Sequence, residues 1–161
     1  MSQALSFEYE SNEAYERLVG QEAPFNARYE LLVFAASVGY SRGTPAADAP
    51  VDDPDGTNDS RQPKEMRWNY IDQNPRLSVV TASLAYADTG EPKAILSADQ
   101  QIETLVSYGA AGSRIIYEEV ISSGGDDLDS LVDFVQEHRD DDRVEKQTGV
   151  LEQLEDEISS L

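Results

Sequence analysis

Apolar residues recur at helical spacing along most of the chain, a pattern that predicts a mainly helical protein. The most apolar stretch covers residues 25–40. Its stripe at intervals of three or four residues consists of Tyr29, Leu32, Val33, Ala36 and Gly39. Further apolar residues fill much of the remaining helix surface. Because a helix that is apolar nearly all round is a buried helix, we expect residues 25–40 to form the central helix of the core.

Capping residues followed by periodic apolar positions predict the other helices. Asn74 and Pro75 form a cap and first-turn pair that opens a helix to about residue 88, with Leu84 facing inward. The other predicted helix starts are Ser11, Ser97, Ser113 and Asp126 or Asp127. Residues 108–112 are interpreted as a break or a close-packing corner. A last amphipathic helix follows the polar run 137–146 and carries Val150, Leu151, Leu154 and Ile158.

Two segments fall outside this helical pattern. Residues 43–62 are rich in Pro, Gly, Asp and Ala and have no apolar period, which predicts a long acidic loop. Residues 64–71 alternate, with Met66, Trp68 and Tyr70 on one side, and this predicts a short strand or extended segment. The predicted fold is therefore mostly α: a single domain over residues 1–161, built as a compact bundle of about five to seven helices with one short strand or hairpin element.

The charge balance is strongly acidic, with 32 Asp and Glu against 12 Lys and Arg and a formal net charge of -20. Acids are spread over the whole chain and lysine is scarce, a combination that suits molar salt, where self-repulsion is screened. We therefore predict a halophilic, archaeal source. The alternative is an acidic protein that mimics DNA or binds a basic partner. No leader or membrane span is recognisable, so the predicted location is cytoplasmic.

Catalytic and cofactor motifs are not found in the sequence. The absence of cysteine excludes disulfides and thiolate metal sites. In the Asp-rich segment 52–59, an EF-hand frame on Gly56 would put Val51 and Gln62 at ligand positions, so the spacing fails. His138, the single histidine, is placed near a helix end and has no partner motif. The glycines match no phosphate-binding loop. We predict no catalytic residue, no metal site and no cofactor.

Four of the twelve basic residues fall within sixteen positions that hold two acids. This basic strip consists of Arg61, Lys64, Arg67 and Arg76. Trp68 and Tyr70 lie between its members, and cations interleaved with aromatic rings can contact phosphates and stack on bases. The strip with Trp68 is therefore a predicted nucleic-acid-binding site. The alternative is that these cations pair with carboxylates from other helices.

Two stretches carry a family resemblance. Residues 31–40 (LLVFAASVGY), followed by Arg42 and Pro45, and residues 102–120, with their YGAAG and IYEE segments, resemble the small dnd-system-associated proteins linked to DNA phosphorothioation. The resemblance implies a non-catalytic accessory component of a phosphorothioation-linked restriction and antiphage defence system. It also implies larger nuclease or ATPase partners, while the basic strip adds DNA as an auxiliary ligand.

A second hypothesis belongs to a different functional class. Clustered carboxylates could serve a small divalent-metal-dependent hydrolase, with Asp52, Asp53, Glu118 and Glu119 as the candidate ligands. Adjacent residues on a helix do not face one ion, which weighs against Glu118 and Glu119 acting together. A third possibility is a stand-alone acidic interaction protein.

Overall fold

The computed structural model describes residues 5–43, 45 and 62–160, and the side chains of all of these except 138 and 140–154. Its elements are β1 (Ser6–Ser11), α1 (Glu13–Leu18), α2 (Arg28–Ser41), β2 (Gln62–Arg67), α3 (Asn69–Asp72), α4 (Pro75–Thr89), α5 (Ala98–Ile116) and α6 (Asp127–Ser159). A 3-10 helix at Pro92–Leu96 precedes α5, and a π-helical turn at Tyr117–Ile121 extends it. The predicted mostly helical fold with one short strand element is confirmed. The predicted loop 43–62 lies outside the described residues, apart from positions 43, 45 and 62.

Helices α2 and α5 form the centre of the protein and approach each other through glycine. A β-carbon at Gly112 would stand 1.6 Å from the carbonyl oxygen of Ala35, and one at Gly39 would stand 2.2 Å from that of Tyr108. Only a residue without a side chain permits such an approach of two backbones. The predicted central helix 25–40 is confirmed in α2. Of the two interpretations of residues 108–112, the structure supports close packing, because these residues lie inside α5 and do not break it.

The predicted helix start at Ser113 is wrong. Ser113 lies inside α5, where its hydroxyl donates to the carbonyl oxygen of Ala110 at 3.0 Å. In the sequence, a local run of small residues resembles the end of a helix. In the folded protein, however, the same small residues are what lets α5 continue against α2.

A two-stranded antiparallel sheet pairs the N-terminal segment with the middle of the chain, with Ser6 opposite Arg67 and Ser11 opposite Gln62. Strand β1 is not predicted by the helical pattern. Strand β2 agrees with the predicted extended segment but ends earlier, at Arg67. Beyond it, Tyr70 lies in the short helix α3 and not on the strand face expected for it.

The first strand is fixed to α5 by a buried ion pair. Glu10 is fully buried, and its two carboxylate oxygens accept from Arg114 at 2.8 and 2.6 Å. Two residues on, the side-chain amide of Asn12 donates to the carbonyl oxygen of Ser113 at 3.0 Å. Asn12, and not the predicted Ser11, is also the N-cap of α1, because its side-chain oxygen accepts from Ala14. These contacts fix the position of β1, and through the sheet that of β2.

Local capping signals predicted the starts of α4 and α5 correctly. Asn74 caps α4 by accepting from the backbone N–H groups of Arg76 and Leu77. Ser97 caps α5 by accepting from Gln100. Gly90 ends α4 in the left-handed conformation with φ at 71°, which glycine adopts without strain.

The C-terminal region is one helix where two were predicted. Asp126 caps α6, as expected, but the helix then runs for 33 residues through the polar segment 137–146. Near its start, Leu131 and Phe134 are buried against the core. In the described part of the chain, no helix combines the length and the apolar character that crossing a bilayer requires.

Candidate nucleic-acid interface

The structure separates the members of the predicted basic strip into different settings. Arg61 lies outside the described residues. Lys64 and Arg67 are exposed on β2, and Arg76 is exposed in the first turn of α4. Trp68 follows β2 directly and is only 7% exposed, with its ring packed edge-on at 6.4 Å from Phe7. Trp68 is therefore a core residue, and the prediction that it stacks on a base is wrong.

Tyr70 offers the exposed ring that Trp68 does not. Its side chain is 50% exposed, and its ring lies 5.8 Å from that of Tyr29 with an interplanar angle of 26°. This stacked pair forms an aromatic step at the surface. A base can extend such a stack because every base has a π-face.

Two adjoining depressions meet at this aromatic step, and together we call them the tyrosine groove. The first has a volume of about 490 Å³ and the second about 630 Å³, and Tyr29 and Tyr70 line both. The other residues that line them include Arg28, Glu65 and Arg67 on the first side and Asn69, Asn74 and Arg76 on the second. Lys64 lies on the same strand as Arg67 but does not line the groove. The structure thus places one exposed arginine on each side of the aromatic step.

Three described arginines outside the basic strip, Arg17, Arg42 and Arg114, pair with a carboxylate of another element. Arg17 pairs with Asp127 at 2.5 Å, and Arg42 pairs with Glu119 at 2.7 Å. By contrast, Lys64, Arg67 and Arg76 have no ion pair within 4.0 Å among the described residues.

Arg28 is occupied by other groups. It donates to the hydroxyl of Ser11 at 3.0 Å and lies 5.7 Å from the centre of the Tyr15 ring. The alternative, in which the cations of the basic strip pair with carboxylates of other helices, is not observed for Lys64, Arg67 or Arg76 in the described part of the chain.

Most residues that line the groove lie in a stretch of the chain that is locally neutral. Residues 62–96 hold four basic residues (Lys64, Arg67, Arg76 and Lys93) and four acidic ones (Glu65, Asp72, Asp88 and Glu91), within a chain of net charge -20. A phosphate group approaching this region meets less repulsion than it does beside the acidic helix α6, which has a net charge of -9.

Helix α4 begins beside the groove, with Arg76 in its first turn. The positive end of the helix dipole and the Arg76 guanidinium both favour an anion there.

The carboxylates considered as metal ligands do not form a metal site in the described residues. These residues contain no group of three or more His, Asp or Glu side chains that could hold a metal ion. Glu118 and Glu119 are exposed, and Glu119 is held by Arg42. Asp52 and Asp53, with the rest of segment 52–59, lie outside the described residues. His138 is inside α6 and not near its end, and its side chain is outside the described set.

Two tyrosines have raised pKa values, and both are explained by structural contacts. The Tyr108 hydroxyl donates to a carboxylate oxygen of Asp88 at 2.7 Å, and this hydrogen bond, with burial, raises the pKa of Tyr108 to about 12. Burial raises the pKa of Tyr15 well above its usual range, and the neighbouring Tyr9 adds to the effect. Both groups stay protonated at neutral pH and are poor candidates for a general base.

Comparison with known families supplies the remaining observation. The family described as DNA sulphur modification system-associated protein 4 matches residues 9–154. The chain belongs to this family. No curated protein and no solved structure matches it. The predicted dnd-associated family is thus confirmed, and the halophilic, archaeal source stays a prediction.

The two stretches that carry the family resemblance meet in the α2–α5 contact. Gly39 comes from the first, and Gly109 and Gly112 come from the second. The resemblance therefore rests on helix packing and not on a binding site. Arg28 and Tyr29 were missed as groove residues because they precede β2 by more than thirty residues, and no local motif connects the two segments.

Proposed function

We propose that this protein is a non-catalytic accessory component of a DNA sulphur modification system linked to restriction and antiphage defence. The observation that carries the proposal is the match to a system-associated family over residues 9–154. The family description names an association with the system and no reaction. The accessory protein would work with larger nuclease or ATPase proteins of the same system.

The tyrosine groove supports an auxiliary contact to DNA as part of this function. Lys64, Arg67 and Arg76 are exposed and have no carboxylate partner among the described residues, so they are available to phosphate oxygens. Tyr70 lies between the two arginines and can stack on a base. Tyr70 thus takes the role that the sequence pattern suggested for Trp68.

This contact is auxiliary because phosphate contacts lose affinity steeply as salt rises. Three cations on a chain of charge -20 supply little non-specific affinity at physiological or higher salt. Partner proteins would therefore provide most of the DNA contact, and the groove would fix how this subunit meets the strand.

The proposal is tested first in cells. In a host that carries the modification system, deletion of the gene should reduce either the phosphorothioate content of the DNA, measured by mass spectrometry after nuclease digestion, or the restriction of phage. The wild-type gene should restore whichever of the two is reduced. A deletion strain with unchanged modification and unchanged restriction would show that the accessory role is wrong.

The DNA contact has a separate test with purified protein. At about 0.1 M KCl, where phosphate contacts are least weakened, a fluorescein-labelled single-stranded oligonucleotide should bind weakly, and the combined Lys64→Ala, Arg67→Ala, Arg76→Ala variant should lose this binding. Tyr70→Ala should weaken binding by about 5-fold or more, because base stacking contributes about 1–3 kcal/mol.

Tyr86→Ala is the matched control, since Tyr86 is 45% exposed and lies outside the groove. If Tyr70→Ala and Tyr86→Ala bind alike, or if the triple variant binds as the wild type does, the groove is not the DNA contact. The accessory role is judged by the cellular test alone.

A further inference from the structure

Helix α6 differs from the other helices in length and in how little of it is buried. Its 33 residues span about 50 Å at 1.5 Å per residue, against 19 residues in α5. Leu131 and Phe134 are its buried residues among those whose side chains are described. Every described side chain of α6 beyond Phe134 is exposed. The start of α6 is therefore attached to the core, and most of its described surface faces solvent.

An apolar stripe remains exposed beside this attachment. Leu128, Val132 and Val135 are 53%, 43% and 39% exposed, and their spacing of four and three residues puts them on one face of α6. Val135 also lines a groove of about 220 Å³ between α2 and α6, whose apolar walls include Phe34 and Val38 and whose lining also includes Arg139. The stripe and this groove form one apolar surface, which we call the α6 surface.

Acidic residues border the α6 surface on its solvent side. Asp129 and Asp133 are exposed and lie next to the apolar stripe on the helical wheel, on the side away from Leu131 and Phe134. Over its whole length α6 has twelve acidic and three basic residues, a net charge of -9 with His138 neutral. One helix thus carries almost half of the net charge of -20.

The charge decides which ligand fits this surface. DNA and anionic lipid are repelled by a helix of net charge -9, and a second copy would oppose -9 to -9. A polypeptide that matches the surface needs apolar side chains for the stripe and cations for the acidic border. An amphipathic helix laid in a groove presents both, with anchors at intervals of three and four residues.

We propose that the α6 surface binds a basic amphipathic helix of a partner protein. Apolar side chains of that helix pack on Leu128 and Val132 and enter the groove beside Val135, while its Lys and Arg residues face Asp129 and Asp133. This proposal names the kind of partner segment that the proposed accessory function requires and rests on that function.

The test uses a synthetic 18-residue peptide with leucine at helical spacing and lysine elsewhere, and an isomer with glutamate for lysine. Calorimetry at about 0.1 M KCl should show binding of the lysine peptide and none of the glutamate peptide, because only lysine complements the acidic border. In ¹⁵N NMR spectra of the full chain, the lysine peptide should shift the signals of residues 128–137 and of Phe34 and Val38. Raising KCl to 1 M should weaken binding without abolishing it, since the apolar contact is not screened.

Two variants at exposed valines separate specific docking from attraction to an acidic protein. Val132→Asp puts a charge in the stripe and should weaken binding of the lysine peptide by about 10-fold, whereas Val79→Asp, at a 65% exposed site on α4, should leave it within about 2-fold. Circular dichroism checks that both variants fold.

Equal effects of the two variants, no effect of Val132→Asp, or equal binding of both peptides would overturn the proposal. So would light scattering that shows a wild-type dimer split by Val132→Asp, since the occupant would then be a second copy. None of these outcomes bears on the cellular deletion test, so the accessory role stands or fails independently.

Discussion

Replacing Gly112 by alanine should destabilise the protein, although the same change in an exposed helix interior is stabilising. A β-carbon at residue 112 would stand 1.6 Å from the carbonyl oxygen of Ala35 and 2.5 Å from its carbonyl carbon. Both atoms belong to the backbone of α2, so no side-chain rotation can relieve the overlap. Helices α2 and α5 would have to move apart along their whole contact.

The expected loss follows from two opposing effects. Adding a methyl group to a closely packed core costs about 1–3 kcal/mol, and overlap with fixed backbone puts Gly112→Ala near the upper limit, about 3 kcal/mol. The higher helix propensity of alanine returns about 1 kcal/mol. The net loss of unfolding free energy is therefore about 2 kcal/mol, which lowers the melting temperature of a chain of this size by about 4–8 °C.

Urea unfolding followed by the fluorescence of Trp68, the one tryptophan of the chain, measures this loss. Gly125→Ala is the matched control, because the nearest atom to its added β-carbon would be Ser130 Oγ at 3.4 Å. It should change the unfolding free energy by no more than about 0.5 kcal/mol. A Gly112→Ala protein as stable as the wild type, or more stable, would refute the close packing of α2 on α5.

Three further predictions concern charge and hydrogen bonding. Glu10→Gln should lower the unfolding free energy by about 3 kcal/mol in urea titrations, because Arg114 then loses the buried carboxylate with which it pairs. An unchanged urea midpoint of unfolding would contradict this. The raised pKa of Tyr108, about 12 against 10.0 unperturbed, means that the folded protein holds this proton more tightly than the unfolded chain. Stability should therefore fall between about pH 10 and 12, and Tyr108→Phe, which cannot donate to Asp88, should reduce the fall without removing the part due to Tyr15. Lowering KCl from about 1 M to about 0.1 M should lower the melting temperature, because repulsion among the acids then acts over roughly 10 Å and not 3 Å; a flat or rising melting temperature would contradict the predicted halophilic source.

The starts of α4 and α5 could be predicted from the sequence because their signals are local. The side chains of Asn74 and Ser97 accept from N–H groups two or three residues further along, so the whole interaction lies within one turn. The apolar content of α2 similarly predicted its burial. Predicting these features does not require knowing which distant segments contact each other.

Strand β1 could not be predicted because its stabilising contacts are distant in sequence. Its sheet partner lies more than fifty residues away, and its buried Glu10 is held by Arg114, 104 residues further on. A charged residue in a short segment normally indicates solvent exposure. The local pattern therefore gave no sign of a buried strand.

The same limit applies at the candidate site. The sequence predicted a cationic and aromatic segment, and Arg67 and Arg76 do lie beside an exposed aromatic ring. Alternation placed Trp68 and Tyr70 on the same side, but the chain turns at Trp68 and enters α3. The turn buries Trp68 and exposes Tyr70, which a two-residue period cannot anticipate.

The distribution of charge indicates how the two proposed surfaces would be used together. Residues 62–96 are neutral, whereas α6 has a net charge of -9. A DNA strand is repelled more strongly by α6 than by the neutral stretch at the tyrosine groove, while a basic helix is attracted to α6. Because no residue lines both surfaces, the two ligands need not compete for contacts. Taken together, the two proposals would have the chain hold a partner protein at α6 and a DNA strand at the tyrosine groove at the same time, which is a role expected of an accessory protein.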